Sequence, residues 1–206
     1  MDSTVVIVLV FVFAIFSSVG GNKGYQQPVS SNVVVTPSPV VSTQPGSSGA
    51  IKPGYAVSVD ADTKKSIQQY ILGFRKPDEA VEITNAIMQH SQSYDVNPKL
   101  VAALMRRESG FNPKATSSSG AMGLGQLLSS TCKSTGVTQP YDINDNSKGT
   151  VRYMKYLLDK FKSYGDTVSY ALAGYLEGPN AVAKKNGYSS KTAGYVQDII
   201  DIYHKL

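Results

Sequence analysis

Glu108 stands in the run Arg107-Glu108-Ser109-Gly110-Phe111, at the end of an apolar stripe. Leu100, Val101, Leu104 and Met105 recur at helical spacing, and Glu108 follows Leu104 by four residues and Val101 by seven. That spacing puts the carboxyl on the buried side of a helix, with Arg106 and Arg107 projecting elsewhere. Lost hydration and the partial negative charge of a helix C-terminus both favour the neutral acid, so its pKa is expected to rise. An acid still protonated near neutrality can protonate a leaving oxygen, the step that glycosidic cleavage requires. A glutamate taken at random is more often solvated or paired with a neighbouring arginine, so spacing alone does not single it out.

The rest of the acidic inventory narrows the chemistry. Residues 109–141 contain no Asp or Glu. Asp142 and Asp145 read as turn and helix-start residues, and Glu177 as a solvated helix-end residue. Most glycoside hydrolases need two carboxylates ~5–9.5 Å apart, and no second one follows Glu108 closely. The lone Cys132 rules out an intramolecular disulfide and a cysteine-built metal site, and reads as a small core residue. His90 and His204 lie far apart without ligand spacing. Neither metal nor cofactor is expected.

Several elements must position Glu108. Asn97-Pro98 supplies an N-cap followed by proline at the first helical position, and the helix runs through Ser109 to stop at Gly110. Further helices are predicted over 64–74, 78–94, 146–164, from an Asp166 cap through 175, and over 192–205, with a short element starting at Gly178-Pro179. No strand alternation is convincing, so residues 62–206 are expected to form one all-α domain. Ahead of it, residues 24–51 carry no charged side chain and are rich in Pro, Ser, Gly, Gln and Val. Such a segment cannot bury a core, and 23–61 reads as a disordered linker. Residues 5–16 are an unbroken apolar run preceded by no basic side chain. Those flanks favour an apolar helix over 1–22 kept as a membrane anchor, with a cleaved signal as the alternative.

Residues 107–131 read RESGFNPKATSSSGAMGLGQLLSST. This resembles the transglycosylase SLT family, the lysozyme-like catalytic domain of soluble lytic transglycosylases. The family shows Glu-Ser, then Ser-x-x-Gly-Ala, then Gly-Leu-x-Gln. Here these stand as Glu108-Ser109, Ser117 to Ala121, and Gly123 to Gln126. Residues 173–179, AGYLEGP, are similar to the family's Ala-Tyr-Asn-Ala-Gly-Pro, Tyr195-Val196 to its C-terminal Tyr-Val, and Asn146 with Gly149 to its Asn-x-x-x-Gly helix start. Four pieces in the right order, over roughly residues 83–203, carry more weight than any one alone. The resemblance implies a mainly α, lysozyme-like fold and Glu108 as acid/base. It implies that Ser117 and Gln126 hold the sugar N-acetyl and hydroxyl groups, that Ser109 orients the site, and that the Tyr175 hydroxyl lies near the Glu108 carboxyl. Leu128, Asn146 and Tyr195 are further expected in the substrate cleft. The glycines are expected to allow close backbone approach to the ligand, and Leu124, Leu127 and Leu128 recur at helical spacing.

Three departures stand out. Gly125 replaces a common Met, with Leu128 at another usual Met, so a bulky cleft-lining side chain is missing or moved. Leu176 replaces an Asn. Glu177 takes a normally small position. The implied function is a lytic transglycosylase that cleaves the MurNAc-GlcNAc bond of a peptidoglycan strand and leaves a 1,6-anhydro end. The alternatives are a muramidase using Glu177, Asp142 or Asp145, and a wall-binding assembly protein, possibly of a phage virion, whose cleft has weakened activity. Net charge of +5 suits a polyanionic wall polymer or membrane surface, and no Lys/Arg run of the nucleic-acid type is present. The expected setting is a membrane-anchored domain facing the bacterial wall, or a phage virion membrane.

Overall fold

The computed structural model describes residues 51–54 and 61–206, and the predicted anchor and most of the linker lie outside them. Eight helices are described: α1 (Ala61–Leu72), α2 (Pro77–Tyr94), α3 (Pro98–Ser109), α4 (Ser129–Thr135), α5 (Ile143–Lys160), α6 (Thr167–Glu177), α7 (Pro179–Lys185) and α8 (Ser190–Tyr203). Among the described residues there is no strand, only isolated β-bridges pairing Thr116 with Met122 and Met122 with Leu127. The domain is mainly α, as its helical periodicities require.

α3 is the central element. Leu100 to Met105 are all fully buried. α3 packs on α8 and on α2, while α5 packs on α2 and α6. One cluster joins Ile83, Leu104, Phe111, Leu124, Met154, Phe161, Leu172 and Ile199. A smaller one gathers Leu127, Cys132 and Val137 beneath α4. Cys132 is thus a core residue. No described helix is long and apolar enough to cross a membrane.

Helix starts follow side-chain capping. Asn97 accepts from the Lys99 N–H at 3.0 Å, and Asp166 from Ser169 N–H at 3.1 Å. α5 begins at Ile143 rather than at Asn146, because Asp142 caps it by accepting from the Asp145 N–H at 2.8 Å. α4 was not expected. Its seven residues carry little apolar periodicity, and it starts where Ser129 and Ser130 follow the loop. The helical spacing of Leu124, Leu127 and Leu128 also misleads. Leu124 sits in a turn and Leu127 in a β-bridge, and they enter different clusters.

Residues 51–54 lie on the domain, within the span read as linker. Ile51 packs against the main core. The Asn97 N–H donates to Pro53 O at 2.8 Å and its Nδ2 donates to Lys52 O at 2.9 Å. Asn97, 1% exposed, also contacts the Tyr203 hydroxyl at 3.2 Å. It therefore caps α3 and fastens both the preceding chain and the end of α8. Asn97→Ala is expected to lower stability by about 1–3 kcal/mol, through the lost cap and the unsatisfied buried carbonyl, as measured by urea unfolding.

Candidate active site

Glu108 lies on the last turn of α3, and its carboxyl is met from across the domain by α8. The Tyr195 hydroxyl donates a hydrogen bond to Glu108 Oε1. Tyr195 is 4% exposed, between Thr192 and Val196 on the inner face of α8. A buried phenol needs a partner for its hydroxyl, and the carboxylate is that partner. Burial of Glu108 raises its pKa to about 7, against the lowering by the Tyr195 hydrogen bond and the Arg107 charge. Arg106 projects away and lies 4.0 Å above the Phe74 ring. Arg107 does not project away as expected. Its Nε donates to Asp198 Oδ2 at 3.0 Å and its guanidinium lies 5.2 Å from the Tyr195 ring centre. The arginine beside Glu108 is thus committed to α8, and only its field reaches the acid.

The Tyr175 hydroxyl donates to Gly125 O at 2.7 Å rather than to Glu108. It still borders the acid, since burial and then the Glu108 charge hold the Tyr175 phenol well above its ordinary value. Tyr195, placed in the cleft only by its Tyr-Val motif, is the tyrosine bonded to Glu108.

Residues 110–128 form a self-bonded loop that connects α3 to α4. Ser109 Oγ lies 2.8 Å from Leu124 O and 3.2 Å from Met105 O, and so ties the helix end to that loop. Ser117 Oγ accepts from Ala121 N–H at 3.0 Å, closing the Ser-x-x-Gly-Ala turn. Gln126 takes a left-handed backbone, φ 49°, and its Nε2 donates to Gly123 O at 3.0 Å and Ala115 O at 3.2 Å. Its amide nitrogen therefore holds the loop rather than a sugar. Leu128 is half-buried at the N-cap of α4.

Asn146 is not in a position to touch substrate. It is 0% exposed, accepts from Gly125 N–H at 2.9 Å, and donates to Met122 O at 3.0 Å and Pro140 O at 2.7 Å. All of its side-chain polar atoms brace the loop from α5. The glycines likewise approach protein rather than ligand. A Cβ on Gly123, φ +72°, would lie 2.2 Å from Pro140 O, and one on Gly125 would lie 2.0 Å from Thr150 Oγ1. Position 125 therefore points at α5. Thr150, four residues after Asn146 on α5, fills the space that a residue 125 side chain would need.

The other candidate carboxylates are spoken for. Glu177 Oε1 accepts from Ser189 N–H at 3.0 Å, from Ser189 Oγ at 2.9 Å and from the Thr192 hydroxyl, while Oε2 faces Lys185 Nζ at 3.3 Å. Burial raises its pKa, but these donors outweigh burial and hold it at about 2. Asp145 Oδ2 accepts from the Thr138 and Gln139 N–H groups, both at 2.8 Å. Burial opposes ionisation there too, yet those bonds lower its pKa. Asp142 is a helix cap. Leu176 packs against the main core. Among the described residues no group of three His, Cys, Asp or Glu is placed to hold a metal ion.

The model of the "Transglycosylase SLT domain" matches residues 64–197, more than half of the chain. The chain belongs to the transglycosylase SLT domain family. Among its relatives, a "Transglycosylase" of Enterobacteria phage PRD1 is 42% identical over 104 residues, covering 49% of this chain and 38% of the relative. "Membrane-bound lytic murein transglycosylase F" of Pectobacterium atrosepticum is 30% identical over 115 residues, covering 54% of this chain and 24% of the relative. The chain thus spans well under half the length of the curated relatives it matches. The 70 kDa soluble lytic transglycosylase SLT70 of Escherichia coli shares the fold at a TM-score of 0.52 and 17% identity, over 72% of this chain and 31% of that one.

Two contacts of this SLT domain escaped sequence reading. The Tyr195–Glu108 bond joins positions 87 residues apart, and only the apolar surroundings of Tyr195 hinted that its hydroxyl needed a buried partner. The Gly125–Thr150 packing joins a loop to α5, and no motif links those two positions.

Two outcomes follow. Gly125→Ala is expected to cost about 1–3 kcal/mol through overpacking, and Thr150→Ala added to it to recover part of that loss, by chemical denaturation. Glu108 holds its proton more tightly folded than unfolded, so its ionisation costs stability as pH rises from about 4.5 to about 7. Glu108→Gln removes that cost. The variant is expected to match the wild type at low pH and to exceed it by about 1–3 kcal/mol above the folded pKa, in parallel unfolding curves.

Proposed function

We propose that this SLT domain is a lytic transglycosylase that cleaves the MurNAc-GlcNAc β-1,4 bond of peptidoglycan. The observation that carries this reading is a single half-buried carboxyl bonded to Tyr195 and poised near neutrality, with Glu177, Asp142 and Asp145 each bound into helix starts or loop turns. A lone acid supports cleavage in which the substrate assists itself. Protonated Glu108 gives its proton to the glycosidic oxygen as the bond to the anomeric carbon breaks. The substrate's own N-acetyl carbonyl stabilises that carbon. Glu108, now a carboxylate, takes the proton of the muramic 6-hydroxyl, whose oxygen closes on the anomeric carbon. The proton lent in the first step is regained in the second, and no water is consumed. Tyr195 fixes the carboxyl and supports its ionised form, keeping the acid within reach of both states.

Among the residues assigned to the glycan, Ser117, Gln126 and Leu128 keep partial exposure and serve as sugar contacts. Tyr175 shapes the wall beside Glu108. The substrate is the wall strand, and the N-terminal segment 1–22, with its apolar run over 5–16, holds the domain at the membrane face that meets the wall. The membrane-bound bacterial relative supports that setting. The 42% identity to the phage transglycosylase supports a phage origin as the alternative setting.

The test is digestion of purified peptidoglycan, read by mass spectrometry. The expected products end in 1,6-anhydro-MurNAc, while reducing muramic ends would turn the assignment to a muramidase. Activity is expected to fall as pH climbs through about 7, because the acid form is lost. Glu108→Gln is expected to lose about 10²–10⁴-fold in rate.

A further inference from the structure

We propose that Glu177 is a positioning residue: by clasping the first turn of α8 it holds Tyr195 against Glu108. α6 ends at Glu177, α7 follows directly, and α8 begins after Ser189. One carboxylate binds across all three. Oε1 accepts from Ser189 N–H, Ser189 Oγ and the Thr192 hydroxyl, and Oε2 meets Lys185 of α7. Ser189 is itself the N-cap of α8, its Oγ accepting from the Thr192 N–H at 3.2 Å. A carboxylate here answers both the unpaired N–H groups and the positive end of the helix. Thr192 is 2% exposed, so the clasp is built into the interior.

Tyr195 stands three residues beyond Thr192, one turn along the same helix. The height and rotation of that turn decide whether the phenol reaches the acid. Glu177 therefore acts on the site without touching it. The titratable groups facing Glu108 are Arg107 of its own helix, Tyr195 of α8 and Tyr175 of α6. The charged group facing Glu177 is Lys185 of α7.

The structural part of this inference holds whatever the enzyme cleaves, and its kinetic part rests on the lytic reading above. The test is a carbon-detected NMR titration of Glu108 in the full chain, for wild type, Glu177→Ala, Tyr195→Phe and the double variant. Losing the phenol hydrogen bond is expected to raise the Glu108 midpoint by about one pH unit. Glu177→Ala is expected to raise it in the same direction, and to add nothing once Tyr195 is Phe. Glu177→Gln, which keeps a carbonyl oxygen for Ser189 and Thr192, is expected to restore most of the wild-type midpoint. If Glu177→Ala does not fold, Thr192→Val takes its place, removing one donor of the clasp with little change in volume. An unchanged Glu108 midpoint in the folded variants, or equal shifts that add fully in the double variant, would overturn the proposal. In wall digestion the same variants are expected to move the alkaline limb of kcat with KM unchanged. A moved midpoint without any digestion by the wild type would sink the lytic reading and leave the clasp standing.

Discussion

A phenol and a carboxyl, supplied by two helices that pack side by side, share one hydrogen bond in a place with little water. Tyr195 on α8 donates to Glu108 on α3. Burial pushes the acid toward its neutral form, and the phenol pulls it back toward the ionised one. A pKa of about 7 is the balance of burial against the phenol and the Arg107 charge. Without burial the group would be a carboxylate with no proton to give. Without the phenol it would resist becoming the base that the proposed second step needs. Most of the remaining structure serves to keep these side chains at that distance and to keep competing charges occupied elsewhere. Arg107 is drawn to Asp198, and the other nearby acids are held in caps and turns.

The loop after Glu108 obeys a different constraint. It has almost no regular secondary structure, so its own backbone bonds are supplemented by side chains. Ser109 supplies one bond from α3, Gln126 supplies two from within, and Asn146 supplies two from α5. Residues that look like ligand-binding polar groups by type are therefore consumed in holding the loop's shape. Glycine at 123 and 125 permits that closeness, and Thr150 completes it.

Much of this was legible in the sequence where the signal is local. The α3 stripe and its Asn97-Pro98 start predicted the helix and the burial of Glu108 by spacing alone, and Asp166 announced α6. The motif order pointed to the family. What spacing cannot carry is contact between distant elements. Tyr195 and Glu108 are brought together by the packing of α8 on α3, a tertiary fact. The same holds for Tyr175, which turned to a loop carbonyl, and for Asn146, whose polarity suggested a ligand while its burial made it a brace. α4 was missed because a seven-residue helix of Ser, Thr, Lys and Cys shows too little periodicity to be seen. α5 starts three residues earlier than its apolar spacing suggests, because the Asp142 cap precedes the first core-facing repeat.

The central claim concerns one group's ionisation, so it is tested most directly at that group. A carbon-detected NMR titration of the Glu108 side-chain carboxyl, assigned by its disappearance in Glu108→Gln, reads the midpoint without any substrate. The expected midpoint is about 7, well above the ordinary carboxylate value of 4.5. A midpoint at 4.5 would mean that Glu108 is ionised and hydrated at neutral pH, and would contradict its assignment as the acid.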